Sequence, residues 1–245
     1  MYGSRFQGRP LATSATTRPA SAIARTAILA AATLLLTGTA PKTVSWNTTV
    51  ALTAEGGHLV GNPTAAVKLV EYVSYTCPQC AAFMIQSAGA LQIGYISSGK
   101  VSVEVRHLIQ APVDLAAAML ANCGPTGKFA LNHAALMRSQ ATWRAILTQA
   151  GAAQKQRWVM GALVTRNRAI AGDLHWFEIM EARGFDRIAT EKCLGDSTVA
   201  NRIGEQSKAG YASGITRAPS FTINGTLLKS VHTWPELRAQ IDASL

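Results

Sequence analysis

The sequence carries no block of lysines and arginines, no second close pair of cysteine or histidine beside its single Cys-x-x-Cys, no apolar run of bilayer length and no internal repeat. Each absence removes a class of function. The net charge is +10, but the bases are scattered and not interleaved with aromatics, so the basic stripe of a nucleic-acid-binding surface is missing. A structural zinc site needs four ligands, commonly from two close pairs, yet Cys123 and Cys193 stand far from each other. The five histidines, His58, His107, His133, His175 and His232, show no metal-ligand spacing either, and no metal or other cofactor is expected. The run Ala27–Leu36 is too short for a stable membrane span, which needs about 20 apolar residues.

What is present begins with an unusual leader. Residues 1–40 hold Arg5, Arg9, Arg18 and Arg25, no acidic residue, then the apolar run and the small residues Thr37-Gly-Thr-Ala40. Basic, then apolar, then small is the layout of a secretory signal peptide, so an exported, periplasmic location is expected. An uncleaved N-terminal anchor is the alternative, because Pro41 follows the small residues. No cysteine follows the apolar run to accept a lipid. Without the four leader arginines, residues 41–245 keep a net charge of +6. Residues 41–57 are Thr-rich and polar and read as a linker or N-terminal arm; one globular unit is expected over residues 58–245.

Within that unit, Val67–Val73 is rich in β-branched and aromatic residues and reads as a buried strand. Cys80–Ser97 has helical spacing of Phe83, Met84, Ala88, Leu91 and Tyr95, with Gly99 as a stop, and Val101–Leu108 alternates like a second strand. Strand, helix and strand in this span make a βαβ unit with parallel strands. Strand signals then vanish. Helices are expected over 114–122, 125–138, 142–149, 154–160, 174–183, 186–194 and 197–212, an all-helical insertion at about 112–212. The chain closes with Pro219–Ile223, the turn dipeptide Asn224-Gly225, Thr226–Ser230, and a helix from Trp234 capped by Thr233. The class is α/β, in the order βαβ, helical insertion, ββα.

Cys77-Pro-Gln-Cys80 sits between the first strand and its helix. Half a zinc site and a structural bridge are both open readings, although the bridge would close so short a loop that little chain entropy is removed. A redox pair has a mechanism. A cysteine at the first turn of a helix meets unpaired N–H groups and the positive end of the helix dipole, which favour its thiolate. Cys77 is then the nucleophile, and Cys80, one turn further in, resolves its mixed disulfides. Pro78 costs no hydrogen bond at an early helical position. Glu71, in the middle of an apolar strand, is costly unless paired or protonated. It is either a buried proton carrier or an outward residue paired with Lys68 or Lys100.

Three separated pieces, Leu69–Cys80, the helical block and Gly214–Gly225, together resemble the thioredoxin superfamily and its DsbA-like branch over residues 58–245. The resemblance implies a thioredoxin fold with an inserted helical subdomain and a redox-active disulfide at Cys77 and Cys80. It matches Pro219 to a cis-proline that packs on the active cysteines, Ala218 to a preceding residue that tunes reactivity, and Glu71 to a buried acid serving the resolving cysteine. On the residues alone, a trans Pro219 at a strand start is the alternative. Strongly oxidising members carry histidine where this chain has Gln79, so a less extreme oxidant is expected. The implied activity is that of a thiol:disulfide oxidoreductase forming disulfides in exported, unfolded thiol proteins during protein folding. A membrane quinone-linked partner would reoxidise it, and the protein is expected to be a monomer. A reductase or isomerase of the same fold is the first rival, and a non-catalytic peptide-binding or chaperone module the second.

An even cysteine count in an exported protein favours a second disulfide between Cys123 and Cys193, worth about 2–4 kcal/mol; two free buried thiols are the alternative. His107 ends a strand from which it can approach the active site. Trp143, Trp158, Trp176 and Trp234 read as core or interface residues. Aliphatic surface between the insertion and Cys77 is a candidate for binding unfolded peptide, without residues assigned to it.

Overall fold

Val67–Val73, rich in valine with one tyrosine, forms the strand around which the computed structural model is built; it describes residues 44–245. The leader over residues 1–40 lies outside the described residues. Part of the segment expected as a linker is strand: β1 (Val50–Leu52) pairs antiparallel with β2 (His58–Gly61) as the outer strand of the sheet. Three residues of mixed exposure give no readable alternation, which is why β1 escapes a reading by periodicity.

Strand β3 (Val67–Val73) leads through the cysteine motif into α1 (Pro78–Ala90), which continues in wider π-type turns over Leu91–Ile96 and stops at Gly99 with φ +73°. Strand β4 (Val101–His107) returns parallel to β3, with Glu71 opposite Val105. Eight helices follow: α2 (Pro112–Ala121), α3 (Phe129–Arg138), α4 (Gln140–Gln149), α5 (Ala152–Val159), α6 (Leu163–Asp173), α7 (Trp176–Glu181), α8 (Arg187–Leu194) and α9 (Ser197–Ala212). The hairpin β5 (Ser220–Ile223) and β6 (Thr226–Leu227), joined through Asn224 and Gly225 at positive φ, and α10 (Trp234–Asp242) complete the chain. The sheet order is β1-β2-β4-β3-β5-β6. This is a thioredoxin-like fold with a helical insertion.

Helix α6 has no counterpart among the expected helices. Its N-terminal residue Ala162 makes no side-chain cap, and Val164, Thr165 and Gly172 lower its propensity. Burial decides it: Asn167, Ile170 and Ala171 face inward, and the Asn167 amide donates to the Leu194 carbonyl at 2.9 Å.

Helix α1 separates two apolar clusters. Phe83 and Leu91 join Val67, Leu69, Phe221, Leu237 and Ile241 under the sheet, whereas Cys77, Cys80, Ala81 and Met84 join the buried faces of the insertion. Trp143 and Trp176 cross edge to face at 5.3 Å within the second cluster, with Trp158 also buried, while Trp234 packs edge to face against Phe83 and Tyr95. The insertion is thus packed directly against the cysteine end of α1.

Candidate active site

Cys77 is the N-cap of α1: its backbone is extended and its sulfur accepts the Cys80 N–H at 3.2 Å. Pro78 follows at the first helical turn, where no donor is lost. Both cysteines are free thiols here, Cys77 at 8% exposure and Cys80 at 0%. The Cys80 thiol donates to Cys77, and the amides of Cys80 and Gln79 add to it, so the Cys77 thiol is lowered from 9.0 to about 7 against the opposing effects of burial and the Asp114 charge. Burial, and then that same hydrogen bond to Cys77, push Cys80 far above the ordinary thiol range. One sulfur, in a residue that keeps slight exposure, is favoured as a thiolate near neutrality, and the other is a fully buried thiol. Gln79 places its side-chain amide oxygen 3.7 Å from the Cys77 sulfur; a half-turn of the amide would present its NH2 instead.

The Ala218–Pro219 peptide bond is cis, and the Ala218 carbonyl accepts from the Cys77 sulfur at 3.3 Å. The loop is held from behind: His232 Nδ1 donates to the Pro219 carbonyl at 2.8 Å, and Ser220 Oγ donates to the Arg217 carbonyl at 2.7 Å. Glu236 in turn accepts from the His232 and Thr233 N–H groups at the head of α10. His232 therefore positions the proline loop. Nothing in its sequence neighbourhood signals this, since only folding brings it to Pro219.

Glu71 lies inside the sheet, between Val105 on β4 and Phe221 on β5, at 5% exposure. Its Oε1 has no hydrogen-bond partner among the described residues. Burial, with a smaller contribution from the Cys77 thiolate, raises its carboxyl from 4.5 to about 8. Neither Lys68 nor Lys100 pairs with it among the described residues. Between pH 4.5 and about 8 the folded protein holds a proton that the unfolded chain releases, so folding stability falls as pH rises, by up to about 1.4 kcal/mol per unit. Glu71→Gln removes that slope. Urea unfolding of the oxidised protein, in which neither active cysteine titrates, should therefore show the variant gaining on the parent from about pH 5 to about pH 8.

Two further residues shape the site without having been singled out for it. Asp114, the third residue of α2 and fully buried, reaches back to accept from the Gln110 and Ala111 N–H groups at 3.0 Å each. The same carboxylate accepts from Ser74 Oγ and the Thr76 N–H at 2.8 Å each and from Thr76 Oγ1 at 3.3 Å. It pins the segment that delivers Cys77. Proline at a helix start with an acid two residues on was a legible capping signal, but its second set of partners was not. Gln140, buried at the start of α4, donates to the Tyr75 and Cys77 carbonyls at 2.7 and 2.8 Å.

Elsewhere, Cys123 and Cys193 form a disulfide with Cα atoms 5.5 Å apart, tying the end of α2 to α8. His107 does not reach the cysteines; it is buried beside His58, His133 and Phe129, with burial keeping all three histidines from protonating readily. Tyr75 links this cluster to the site through a 2.9 Å hydrogen bond to His133 Nδ1. Among the described residues no group of three or more His, Cys, Asp or Glu is arranged to hold a metal ion.

A family model described as Thioredoxin matches residues 53–243. A crystal structure described as a protein-disulfide isomerase from Novosphingobium aromaticivorans is 43% identical, covers 78% of this chain and 98% of its own, and superposes with a TM-score of 0.75. The Wolbachia pipientis alpha-DsbA1 structure, at 21% identity, 78% and 92% coverage and a TM-score of 0.61, shares the fold. A Rickettsia typhi protein provisionally named a protein-disulfide oxidoreductase is 36% identical over 100 residues, which span 38% of this chain and 37% of that relative. With the family model matched over residues 53–243 and a 43% identical relative covered over 98% of its chain, the chain belongs to the thioredoxin family.

Proposed function

We propose that the protein is a thiol:disulfide oxidoreductase of the DsbA-like type that forms disulfides in exported, unfolded proteins. The single observation that carries this is the asymmetry at the head of α1: a Cys77 sulfur capped by the Cys80 N–H beside a cis-proline loop, in a residue that keeps 8% exposure, with its partner cysteine at 0% behind it. In the oxidised enzyme a client thiolate attacks Cys77 Sγ, the Cys77–Cys80 bond breaks, and Cys80 leaves as a thiolate. Cys80 takes up a proton readily because burial disfavours its charge, and Glu71, still protonated near neutrality, is the donor. A second client thiolate then attacks the client sulfur of the mixed disulfide. Cys77 leaves as a thiolate, the client gains a disulfide, and the enzyme holds the two electrons. A membrane quinone-linked partner would remove them, and the leader over residues 1–40 would place both in the periplasm.

The name of the Novosphingobium relative favours a second reading, in which the same chemistry runs as isomerase. The reduction potential separates the two. Equilibration with glutathione, read by alkylation of the free thiols, should place the pair well above the thioredoxin value of about −270 mV, though below the most oxidising relatives at about −120 mV. A thioredoxin-like value would assign the protein to disulfide reduction or reshuffling instead.

A further inference from the structure

Beside Cys77 a groove of about 420 Å³ runs between the outer face of α1 and the junction of α3 with α4. One wall is Pro78, Ala82 and Ile85, the last at 59% exposure; the other includes Arg138, Ala141 and Arg144. The first wall is apolar and the second is cationic. No acidic residue lines the groove, and neither arginine has an ion-pair partner among the described residues. Two guanidinium groups on one groove wall, Arg138 at the end of α3 and Arg144 in the second turn of α4, are a complement to an anion. Because the groove begins at Pro78, the residue after the nucleophile, it lies within reach of the chain flanking a client cysteine joined to Cys77. From Pro78 to Ile85 the helix advances about 10 Å, the length of about three extended residues.

We propose that this groove receives the chain flanking the client cysteine and selects clients that carry Asp or Glu within about three residues of it. The inference rests on Cys77 being the nucleophile. A carboxylate there meets Arg138 or Arg144 while neighbouring apolar side chains cover Ala82 and Ile85, so specificity comes from the insertion and chemistry from α1.

The test uses the full chain carrying Cys80→Ser, with Cys77 loaded as a mixed disulfide to a coloured aromatic thiol. A peptide thiolate attacks Cys77 Sγ, the bond to the aromatic sulfur breaks, and the coloured thiolate leaves, which gives the rate directly. Matched single-cysteine peptides carry aspartate, serine or lysine near the cysteine on either side. Each rate is divided by that of the same peptide with the free aromatic disulfide, which removes the effect of the peptide's charge on its own thiol. The aspartate peptides should be about fivefold to tenfold faster than the lysine ones, with the advantage fading at high salt. R138Q/R144Q should abolish that ratio, whereas R187Q/K192Q, which removes two charges from α8 away from the groove, should keep it. Equal normalised rates, or a preference indifferent to R138Q/R144Q, would overturn the groove assignment and leave the redox reading standing. Failure of every peptide to displace the coloured thiol would sink both.

Discussion

Cys77→Ser is expected to reduce the refolding of reduced, denatured ribonuclease to the rate of the redox buffer alone. The loss is complete because no other sulfur can replace Cys77: Cys80 is fully buried and held as a thiol, and Cys123 and Cys193 are bonded to each other. Folding should barely change, since serine is itself a good N-cap and its hydroxyl can accept the Cys80 N–H, so unfolding should differ by about 1 kcal/mol or less. That contrast separates chemistry from structure. In the reduced parent, alkylation of Cys77 should be half-maximal near pH 7, and Cys80→Ala should move this upward, because the Cys80 thiol makes the largest favourable contribution to the Cys77 thiolate. Undiminished refolding activity in Cys77→Ser would falsify the assignment.

Asp114→Ala is expected to cost about 3–5 kcal/mol in urea unfolding of the oxidised protein. The substitution removes the shared acceptor of three backbone N–H groups, those of Thr76, Gln110 and Ala111, leaves a cavity where a fully buried carboxylate stood, and frees the Ser74 and Thr76 hydroxyls as well. Asp114→Asn keeps one acceptor oxygen and should lose less, about 1–2 kcal/mol. It also removes a negative charge that opposes the Cys77 thiolate, so the alkylation midpoint of the reduced variant should fall below about 7. A purely structural role would leave that midpoint where it is. Should Asp114→Ala unfold at the same urea concentration as the parent, the carboxylate does not hold the Cys77 segment.

The core of the site was legible because its parts are local. A strand, a cysteine at the head of a helix and a second cysteine one turn on are separated by a handful of residues, and the periodicity changes where the chemistry lies. The strand, turn dipeptide and strand after Pro219 were legible for the same reason, although β6 is only two residues long. What escaped depends on distant partners. Helix α6 forms because Ile170 and Ala171 are buried, not because its residues prefer helix. Asp114 read as a helix start but also binds residues forty positions earlier, and His232 binds a carbonyl thirteen positions earlier across a loop. Such pairings leave no trace in spacing.

By itself, then, the amino-acid order determined that Cys77 would cap a helix one turn ahead of Cys80 and that a sheet would be interrupted by a helical block, since capping and apolar period act between near neighbours. Tertiary structure alone decided that Glu71 is sealed inside the sheet and protonated near neutrality, that Asp114, Gln140 and His232 fix the cysteine and proline loops, and that Arg138 and Arg144 face a groove beside Cys77. The reason is physical: desolvation and long-range hydrogen bonds exist only once distant segments exclude water together.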